Sequence, residues 1–298
     1  MPPRWRIGLI DMRERQRFEV QTVFGHIRGW RFEAPSATAP RVLALHGWLD
    51  NSASFLPVAP WLEQCELVAI DQIGHGESDH LPISSDYTAL TLTRCGLAVV
   101  DALGWDRFSL LGHSLGSVVC SLIAAAVPSR VDRFVAIEAL GALTHPAEQT
   151  AERFREALEA AARPRRPLRV FQSLDEAIAL RMQVNHLSEP VARLLVERGV
   201  DAFEDGFVWS SDQRLTQPTA FRLTEPQALD LIRGIACPTR VILADPPQSY
   251  FPDAMRRHRV TQLQSAGLHI VDGTHHLHME DPDTIGPLVA EFLERAAN

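Results

Sequence analysis

The segment FSLLGHSLGSVVCSLIAAAV, residues 108–127, decides how this sequence is interpreted. Residues 108–111 have the apolar composition of a buried strand, and residues 117–127 form a longer apolar run that indicates a buried helix. Between them, Gly112-His113-Ser114-Leu115-Gly116 matches the pattern G-x-S-x-G. Small residues in this pattern allow a sharp turn from strand to helix, and the turn would present the Ser114 hydroxyl at its tip.

The pattern alone is a weak signal. A chance match is expected in about one chain in twenty of this length, given the usual frequencies of glycine and serine. The preceding strand and the following helix are what a nucleophilic serine at such a turn requires, so they favour that interpretation. The alternative is a serine that only shapes the turn.

The rest of the chain alternates strands and helices. Apolar runs that predict strands are FEVQTV, RVLALH, ELVAI, FSLLG, FVAIE, RVILA and GLHIV. Helical periodicity between most of them predicts an α/β fold with a mainly parallel sheet and helices on both faces. Residues 143–234 differ, because four helical segments follow one another there without a convincing strand. We therefore predict a core domain of residues 1–142 and 235–298, with a separate helical unit of residues 143–234.

Composition limits the possible partners. The 298 residues are 46% hydrophobic and 22% charged, as in globular proteins, and the formal net charge is −8. This balance gives no reason to expect nucleic acid or an anionic membrane as a partner. The basic run RPRRPLR at 163–169 is interpreted as a solvated loop. The oligomeric state is left open.

The lack of a recognisable targeting signal and the spacing of the cysteines predict a cytoplasmic protein. No run reaches the roughly 18 apolar residues of a membrane span, and the N-terminal segment MPPRWRIGLIDMRERQRF does not have the pattern of a signal peptide. The four cysteines, at 65, 95, 120 and 237, lie far apart in apolar surroundings. This spacing favours reduced structural thiols.

A serine nucleophile also needs donors for the oxyanion that it creates. One candidate is the backbone N–H of Leu115, at the start of the predicted helix, where the helix dipole favours negative charge. The second is the N–H of Trp48, in the loop that follows LALH, where Gly47 allows close backbone approach. The alternative for His46-Gly47 is an ordinary tight turn.

These residues together resemble the α/β-hydrolase fold family. The motifs that carry the resemblance are HGW at 46–48, DQIGHGESD at 71–79, GHSLG at 112–116 and GTHHLHMEDP at 273–282. The similarity extends over about residues 18–293 and is greatest to serine hydrolase-like proteins, with haloalkane dehalogenases and epoxide hydrolases more distant. It implies a mostly parallel eight-stranded sheet, and a cap formed by the inserted helices.

The resemblance assigns the catalytic histidine to His275, while His276 and His278 are expected to pack or to cap. Three histidines within four residues also raise the possibility of a metal site. They cannot all face one ion from an extended loop, and no second cluster of ligands supports them. We therefore predict no metal and no cofactor.

The acid that orients His275 is the least conventional part of the prediction. The family usually places an aspartate just beyond the seventh strand, but the positions expected for it here hold Pro247 or Gln248, and Asp245 comes about two residues early. Glu138 is the only charge in the apolar run FVAIEALGALT, residues 134–144. It ends the sixth strand, at the sheet edge where the histidine loop must lie, and one branch of the haloalkane dehalogenases also places its acid there.

We therefore predict that Glu138 accepts the N–H of His275. Asp245 is the alternative orienting acid. The remaining possibility is a strand-end glutamate that reaches water, because burial of an unpaired carboxylate would be costly.

A catalytic serine predicts an acyl-enzyme, and hence hydrolysis of esters, thioesters or amides. The sequence is interpreted as a carboxylesterase for small to medium acyl esters, with carbon–carbon bond hydrolysis and perhydrolysis as alternatives. A non-catalytic binding protein is the alternative of another class. Predicted substrate contacts are His113, Phe171, Phe207 and Trp209, although each aromatic residue could equally be core packing.

Overall fold

The computed structural model describes residues 14–164 and 167–294. Most of the N-terminal segment examined for a signal peptide, and two residues of the basic run at 163–169, lie outside the described residues. The main sheet has eight strands in the order β1-β2-β4-β3-β5-β6-β9-β10. These strands are β1 (Arg15–Thr22), β2 (Gly25–Phe32), β3 (Arg41–Leu45), β4 (Glu66–Ile70), β5 (Phe108–His113), β6 (Val131–Ile137), β9 (Thr239–Asp245) and β10 (Ala266–Asp272).

The sheet confirms the predicted α/β-hydrolase architecture. β1 pairs with β2 and β2 pairs with β4 in antiparallel fashion, and every other neighbouring pair in the sheet is parallel. The seven apolar runs correspond to seven of these strands. β2 was missed, because its sequence GHIRGWRF contains two glycines and two arginines that interrupt the apolar pattern.

Nine α-helices accompany the strands in the described residues. They are α1 (Ala89–Ala102), α2 (Leu115–Ala126), α3 (Thr150–Ala162), α4 (Leu174–Asn185), α5 (Glu189–Gly199), α6 (Glu225–Arg233), α7 (Asp253–Val260), α8 (Leu277–Glu280) and α9 (Pro282–Leu293). Alternate residues of β3 face opposite sides of the sheet. Leu43 and Leu45 pack with residues of α1 and α2, and Val42 and Ala44 pack with residues of α9. The core is therefore layered, with helices on both faces.

The inserted segment contains strands as well as helices. α3 to α6 lie between β6 and β9, but the hairpin β7 (Val200–Phe203) and β8 (Gly206–Trp209) follows α5 directly. The prediction of an insert without strands was thus wrong. Each strand has only four residues, and charged residues at 201, 204 and 205 hide the pattern. We keep the name insert for residues 143–234.

The first helix of the insert does not pack as its sequence pattern suggested. Ala147, Ala151, Phe154, Leu158 and Ala161 recur at helical spacing, a pattern that predicts one buried face. Phe154 is nevertheless 39% exposed and Leu158 is 55% exposed. The buried residue of α3 is Ala157. Phe154 packs instead against Phe221, with ring centroids 5.3 Å apart.

All four cysteines are free and buried. Burial raises the pKa values of the Cys95 and Cys237 thiols to about 12 and about 11. Within residues 14–164 and 167–294, no helix combines the length and the apolar character needed to cross a bilayer.

The parallel strands bring the predicted site together. The carboxyl ends of β3, β5, β6 and β10 lie along one edge of the sheet, because these strands run in the same direction. The segments that follow them contain the HGW motif, Ser114, Glu138 and the histidine loop. Such an edge is where open parallel sheets place their binding sites.

Candidate active site

Ser114 lies at the turn between β5 and α2, with φ of 50° and ψ of −115°. Positive φ is unfavourable for a residue with a Cβ, so the surrounding structure must hold this conformation. The flanking glycines permit it. A Cβ on Gly116 would lie 1.7 Å from the Leu45 carbonyl oxygen, and one on Gly112 would lie 2.5 Å from Ser117 Cα. The G-x-S-x-G pattern therefore reflects the close contact of the turn with β3 and with the start of α2.

His275 follows β10 and is held by a carboxylate. Its Nδ1 lies 2.9 Å from Glu138 Oε2. Because an ionised carboxylate only accepts hydrogen bonds, Nδ1 carries the proton and donates. In the neutral ring, Nε2 is then left unprotonated. A histidine that acts as a general base for a serine requires this tautomer.

Glu138 is buried, with 4% exposure, and does not reach water. It has φ of 62°, a strained value for a residue with a side chain. Its Oε1 accepts the N–H of Ala244, and its own N–H donates to the Ile242 carbonyl at 2.9 Å. The carboxylate is thus fixed by β9 on one side and by His275 on the other.

Asp245, the alternative acid, lies elsewhere. It is the last residue of β9, and its side chain is exposed. Its backbone carbonyl accepts the N–H of Gly273 at 3.1 Å. The structure therefore brings Glu138 to His275, and the catalytic role of this pair stays a prediction.

The two predicted oxyanion donors lie on either side of the turn. Leu115 is the first residue of α2, so its N–H is at the positive end of the helix dipole. Trp48 follows β3 and is half exposed, and its indole Nε1 donates to the Leu215 carbonyl in the insert at 3.0 Å. This bond attaches the loop that bears the Trp48 N–H to the insert.

Two predicted substrate contacts, His113 and Phe171, lie in the interior of the protein. His113 is fully buried, and its Nε2 donates to the His275 carbonyl at 2.8 Å, so it supports the histidine loop and offers no surface to a substrate. Phe171 is also fully buried, because it packs inside the insert with Trp209 at a ring distance of 5.0 Å. Phe207 is half-buried and exchanges backbone hydrogen bonds with Phe171.

Trp209 lines a cavity of about 180 Å³ between the insert and the core. Leu180, Val184 and Leu195 provide its apolar wall, and Asp50, Arg181 and Asn185 provide polar atoms. Ser114 and His275 are not among the lining residues, so the cavity does not include the predicted nucleophile or base. Trp209 is the predicted substrate contact that borders an open space.

A layer of buried polar side chains lies beneath the histidine loop. His276 Nε2 is 3.2 Å from Asp50 Oδ2, and Arg181 pairs with Asp50 Oδ1. Burial alone would raise the pKa of Asp50, but the charges of His276 and Arg181 hold it well below its usual value. His278 Nε2 lies 2.8 Å from Ser54 Oγ, as expected for a packing residue.

Among the described residues, one group has the proximity required of metal ligands. It consists of Asp50, His113 and His276, all buried, with one ligand atom of each within 4.8 Å of the others. The carboxylate in this group already has the Arg181 guanidinium as its cation. The group differs from the three histidines of the loop that the sequence suggested, and we assign no metal to it.

Tyr250 was missed by the sequence analysis. Its ring lies 6.5 Å from that of His275, in a T-shaped arrangement, and half of the residue is exposed. Burial and the charge of Glu138 raise the pKa of its hydroxyl. No motif marks this residue, since it lies in the irregular segment after β9.

Comparison with known proteins agrees with the fold. Residues 40–215 match the family described as alpha/beta hydrolase fold, and this chain belongs to that family. It is similar to serine hydrolase-like protein 2 of Homo sapiens, at 31% identity over 295 residues that cover 91% of each chain. The resemblance to serine hydrolase-like proteins is thereby confirmed.

Solved structures extend this comparison. The crystal structure of the hypothetical protein PA1622 from Pseudomonas aeruginosa PAO1 is 35% identical and has a TM-score of 0.86, covering 94% of this chain and 98% of that chain. The thioesterase domain from the curacin biosynthetic pathway is 23% identical and has a TM-score of 0.81, covering 93% and 99%. This second likeness concerns the fold alone.

Proposed function

We propose that this α/β hydrolase is a serine carboxylesterase that acts on small to medium acyl esters. Ser114 is the nucleophile, His275 the general base and Glu138 the acid that orients it. The backbone N–H groups of Trp48 and Leu115 form the oxyanion hole. No metal or cofactor takes part.

One observation carries the proposal, the 2.9 Å bond from His275 Nδ1 to Glu138 Oε2. Through this bond, Glu138 supplies His275 with a buried carboxylate, and the family's usual position for the acid, after β9, holds Pro247 or Gln248. A site that had lost its function would have no reason to keep a strained glutamate at φ of 62° under the histidine. Among the described residues Ser114 Oγ makes no hydrogen bond, and contacts between nucleophile and base often close only when substrate is bound.

The geometry suits acyl transfer in two steps. In the first step, Ser114 Oγ attacks the ester carbonyl while His275 Nε2 takes its proton. The Trp48 and Leu115 N–H groups stabilise the negative oxygen of the tetrahedral intermediate. When the intermediate collapses, the C–O bond to the alcohol breaks and His275 returns the proton to the alcohol, which leaves.

In the second step, a water molecule attacks the acyl group on Ser114, and His275 accepts its proton. Collapse of the new tetrahedral intermediate releases the carboxylic acid, and His275 returns the proton to Ser114 Oγ. Throughout both steps, Glu138 keeps the ring in one tautomer and stabilises the imidazolium. Thioesters would follow the same steps, and the curacin-pathway thioesterase domain shares the fold.

The test is hydrolysis of p-nitrophenyl esters from acetate to decanoate by the wild type and three variants. Ser114→Ala should abolish activity. Glu138→Gln should reduce kcat by about 10³- to 10⁴-fold, because the amide cannot hold the imidazolium or the correct tautomer. Asp245→Asn is the matched control and should retain wild-type activity, since that side chain is exposed.

A second assay separates the possible failures. A fluorophosphonate probe should label Ser114 rapidly if the serine is activated. Rapid labelling without hydrolysis of any ester would replace the esterase proposal by another reaction of the same site, such as carbon–carbon bond hydrolysis. Absence of both labelling and hydrolysis would favour a non-catalytic binding protein.

A further inference from the structure

Four segments that are distant in sequence converge on the Asp50 carboxylate. Asp50 lies in the loop after β3, His113 ends β5, His276 lies in the loop after β10, and Arg181 belongs to α4 of the insert. Arg181 pairs with Oδ1, whereas Oδ2 lies 3.2 Å from His276 Nε2 and 3.6 Å from His113 Nδ1. The carboxylate is almost completely buried, and these are its side-chain partners among the described residues.

The hydrogen-bond partners determine which ring nitrogens of His113 and His276 act as donors. His113 Nε2 faces the carbonyl of His275 at 2.8 Å and must donate, because a carbonyl only accepts. Burial lowers the pKa of His113 to about 4, so the ring is neutral near pH 7. His276 Nε2 donates to the carboxylate. Asp50 thus holds the histidine loop through His276, while His113 holds the His275 carbonyl beside it.

The proposed oxyanion loop rests on the same carboxylate. The N–H of Asp50 donates to the Gly47 carbonyl at 3.2 Å, which closes the turn that contains Trp48. A Cβ on Gly47 would lie 2.8 Å from Asp50 Oδ2 and 2.9 Å from His113 Nδ1. The backbone before Trp48 is therefore packed directly against Asp50 and His113.

We propose that Asp50 is a positioning residue that sets the oxyanion loop and the histidine loop in one geometry and makes that geometry depend on Arg181 of the insert. The proposal rests on the catalytic roles assigned above. Asp50 acts through its hydrogen bond with His276 and through the Gly47 turn, and it touches no reacting atom. Because a buried polar group that loses its partner is costly, the Asp50 carboxylate favours the arrangement in which His276 and Arg181 both face it.

The chain contains a matched pair that serves as a control. Arg198 of α5 pairs with Asp71, which follows β4, and both side chains are buried. This pair also joins an arginine of the insert to an aspartate of the core. Asp71 accepts the N–H groups of Ser52 and Glu77, and its hydrogen bonds and ion pairs among the described residues do not reach the histidine loop. Loss of either pair weakens the attachment of the insert, but only the Asp50 pair supports His275.

The experiment measures the second-order rate constant for fluorophosphonate labelling per active site, together with kcat and KM for p-nitrophenyl butyrate. The variants are Asp50→Asn and Arg181→Met, with Asp71→Asn and Arg198→Met as controls. Circular dichroism and active-site titration confine the comparison to folded protein. Asp50→Asn keeps the shape of the side chain and is the primary variant, and Arg181→Met leaves Asp50 in place as the second.

We expect Asp50→Asn to slow labelling by about ten- to a hundredfold, the effect of losing a group that orients a reacting side chain. kcat should fall to a similar degree while KM changes less than about twofold. The double variant Asp50→Asn/Arg181→Met should label no more slowly than Asp50→Asn alone, because Arg181 acts through Asp50. Both controls should label within about threefold of wild type, even where their stability falls.

Two outcomes would overturn the inference. One is equal slowing in the Asp50 and Asp71 variants, since this would show only a general loosening of the insert. The other is unchanged labelling in Asp50→Asn. Both require a reactive wild type, whereas a wild type that neither labels nor hydrolyses esters would overturn the proposed function and this inference together.

Discussion

Arg198 in α5 and Asp71 after β4 form a buried ion pair, with Nη2 2.9 Å from Oδ2. Arg198 also stacks over the Trp30 ring at 4.7 Å. The pair therefore joins the insert to the core across 127 residues of sequence. Because both charges are withdrawn from water, removal of one leaves the other uncompensated.

The first prediction concerns this pair. Arg198→Met should lower the free energy of unfolding by about 3–5 kcal/mol, measured by urea denaturation. Arg193→Met removes an exposed arginine that pairs with Glu189 in the same helix, and should have a much smaller effect. Equal losses of unfolding free energy in the two variants would mean that the buried Arg198 pair contributes no more to stability than an exposed pair.

The second prediction concerns the turn that presents Ser114. Gly116→Ala should lower the melting temperature and abolish fluorophosphonate labelling, since the new Cβ would collide with the Leu45 carbonyl. Gly267→Ala in β10 is the control, because its nearest atom would be 4.0 Å away. If Gly116→Ala labels at the wild-type rate, the turn does not have the close packing described above.

The third prediction is loss of stability in mild acid. Burial lowers the pKa of His75 to about 3 and that of His113 to about 4, whereas an unfolded histidine titrates near 6.5. Between these values the unfolded chain binds more protons than the folded one, so stability falls as the pH falls from about 6.5 towards 4.

His75→Gln offers a direct check of this acid dependence. Removal of one such group should reduce the slope of the free energy of unfolding against pH by up to about 1.4 kcal/mol per pH unit. Urea denaturation at several pH values measures this slope. His75 is useful because it is buried apart from the histidine loop, with its Nδ1 3.3 Å from the Ile73 carbonyl. Parallel wild-type and variant curves would contradict the assignment of His75 as a buried neutral ring.

The fourth prediction concerns metal ions. Dialysis against EDTA should change neither the melting temperature nor the rate of ester hydrolysis. The physical reason is that Asp50, the carboxylate closest to His113 and His276, has Arg181 as its cation. A loss of activity that is restored by Zn²⁺ and abolished by His276→Ala would contradict this prediction.

Local sequence patterns predicted the α/β fold class and singled out part of the candidate site. The period of apolar residues located seven strands. Glu138 drew attention because it is the only charge in its apolar run. β2 and the β7-β8 hairpin were missed because glycine, arginine and acidic residues break their patterns. Sequence pattern also could not distinguish aromatic residues that face an opening from those that pack inside the insert, as Phe171 does.

The contacts between insert and core were beyond prediction for a different reason. Arg181 and Asp50 are 131 residues apart, and no sequence motif links the two positions. Such pairs depend on how two packed units fit together, and a single sequence does not contain that information in any local pattern. The same holds for Tyr250 beside His275.

The position of Glu138 has an evolutionary consequence. With the proposed acid on the strand beside the nucleophile, the segment after β9 no longer has to deliver a carboxylate to His275. Residues 246–250 are then released from that requirement, and Tyr250 already reaches the histidine from there, whereas Phe251 packs in the core. Directed evolution of substrate preference can begin in this segment without disturbing the charge proposed to orient the base.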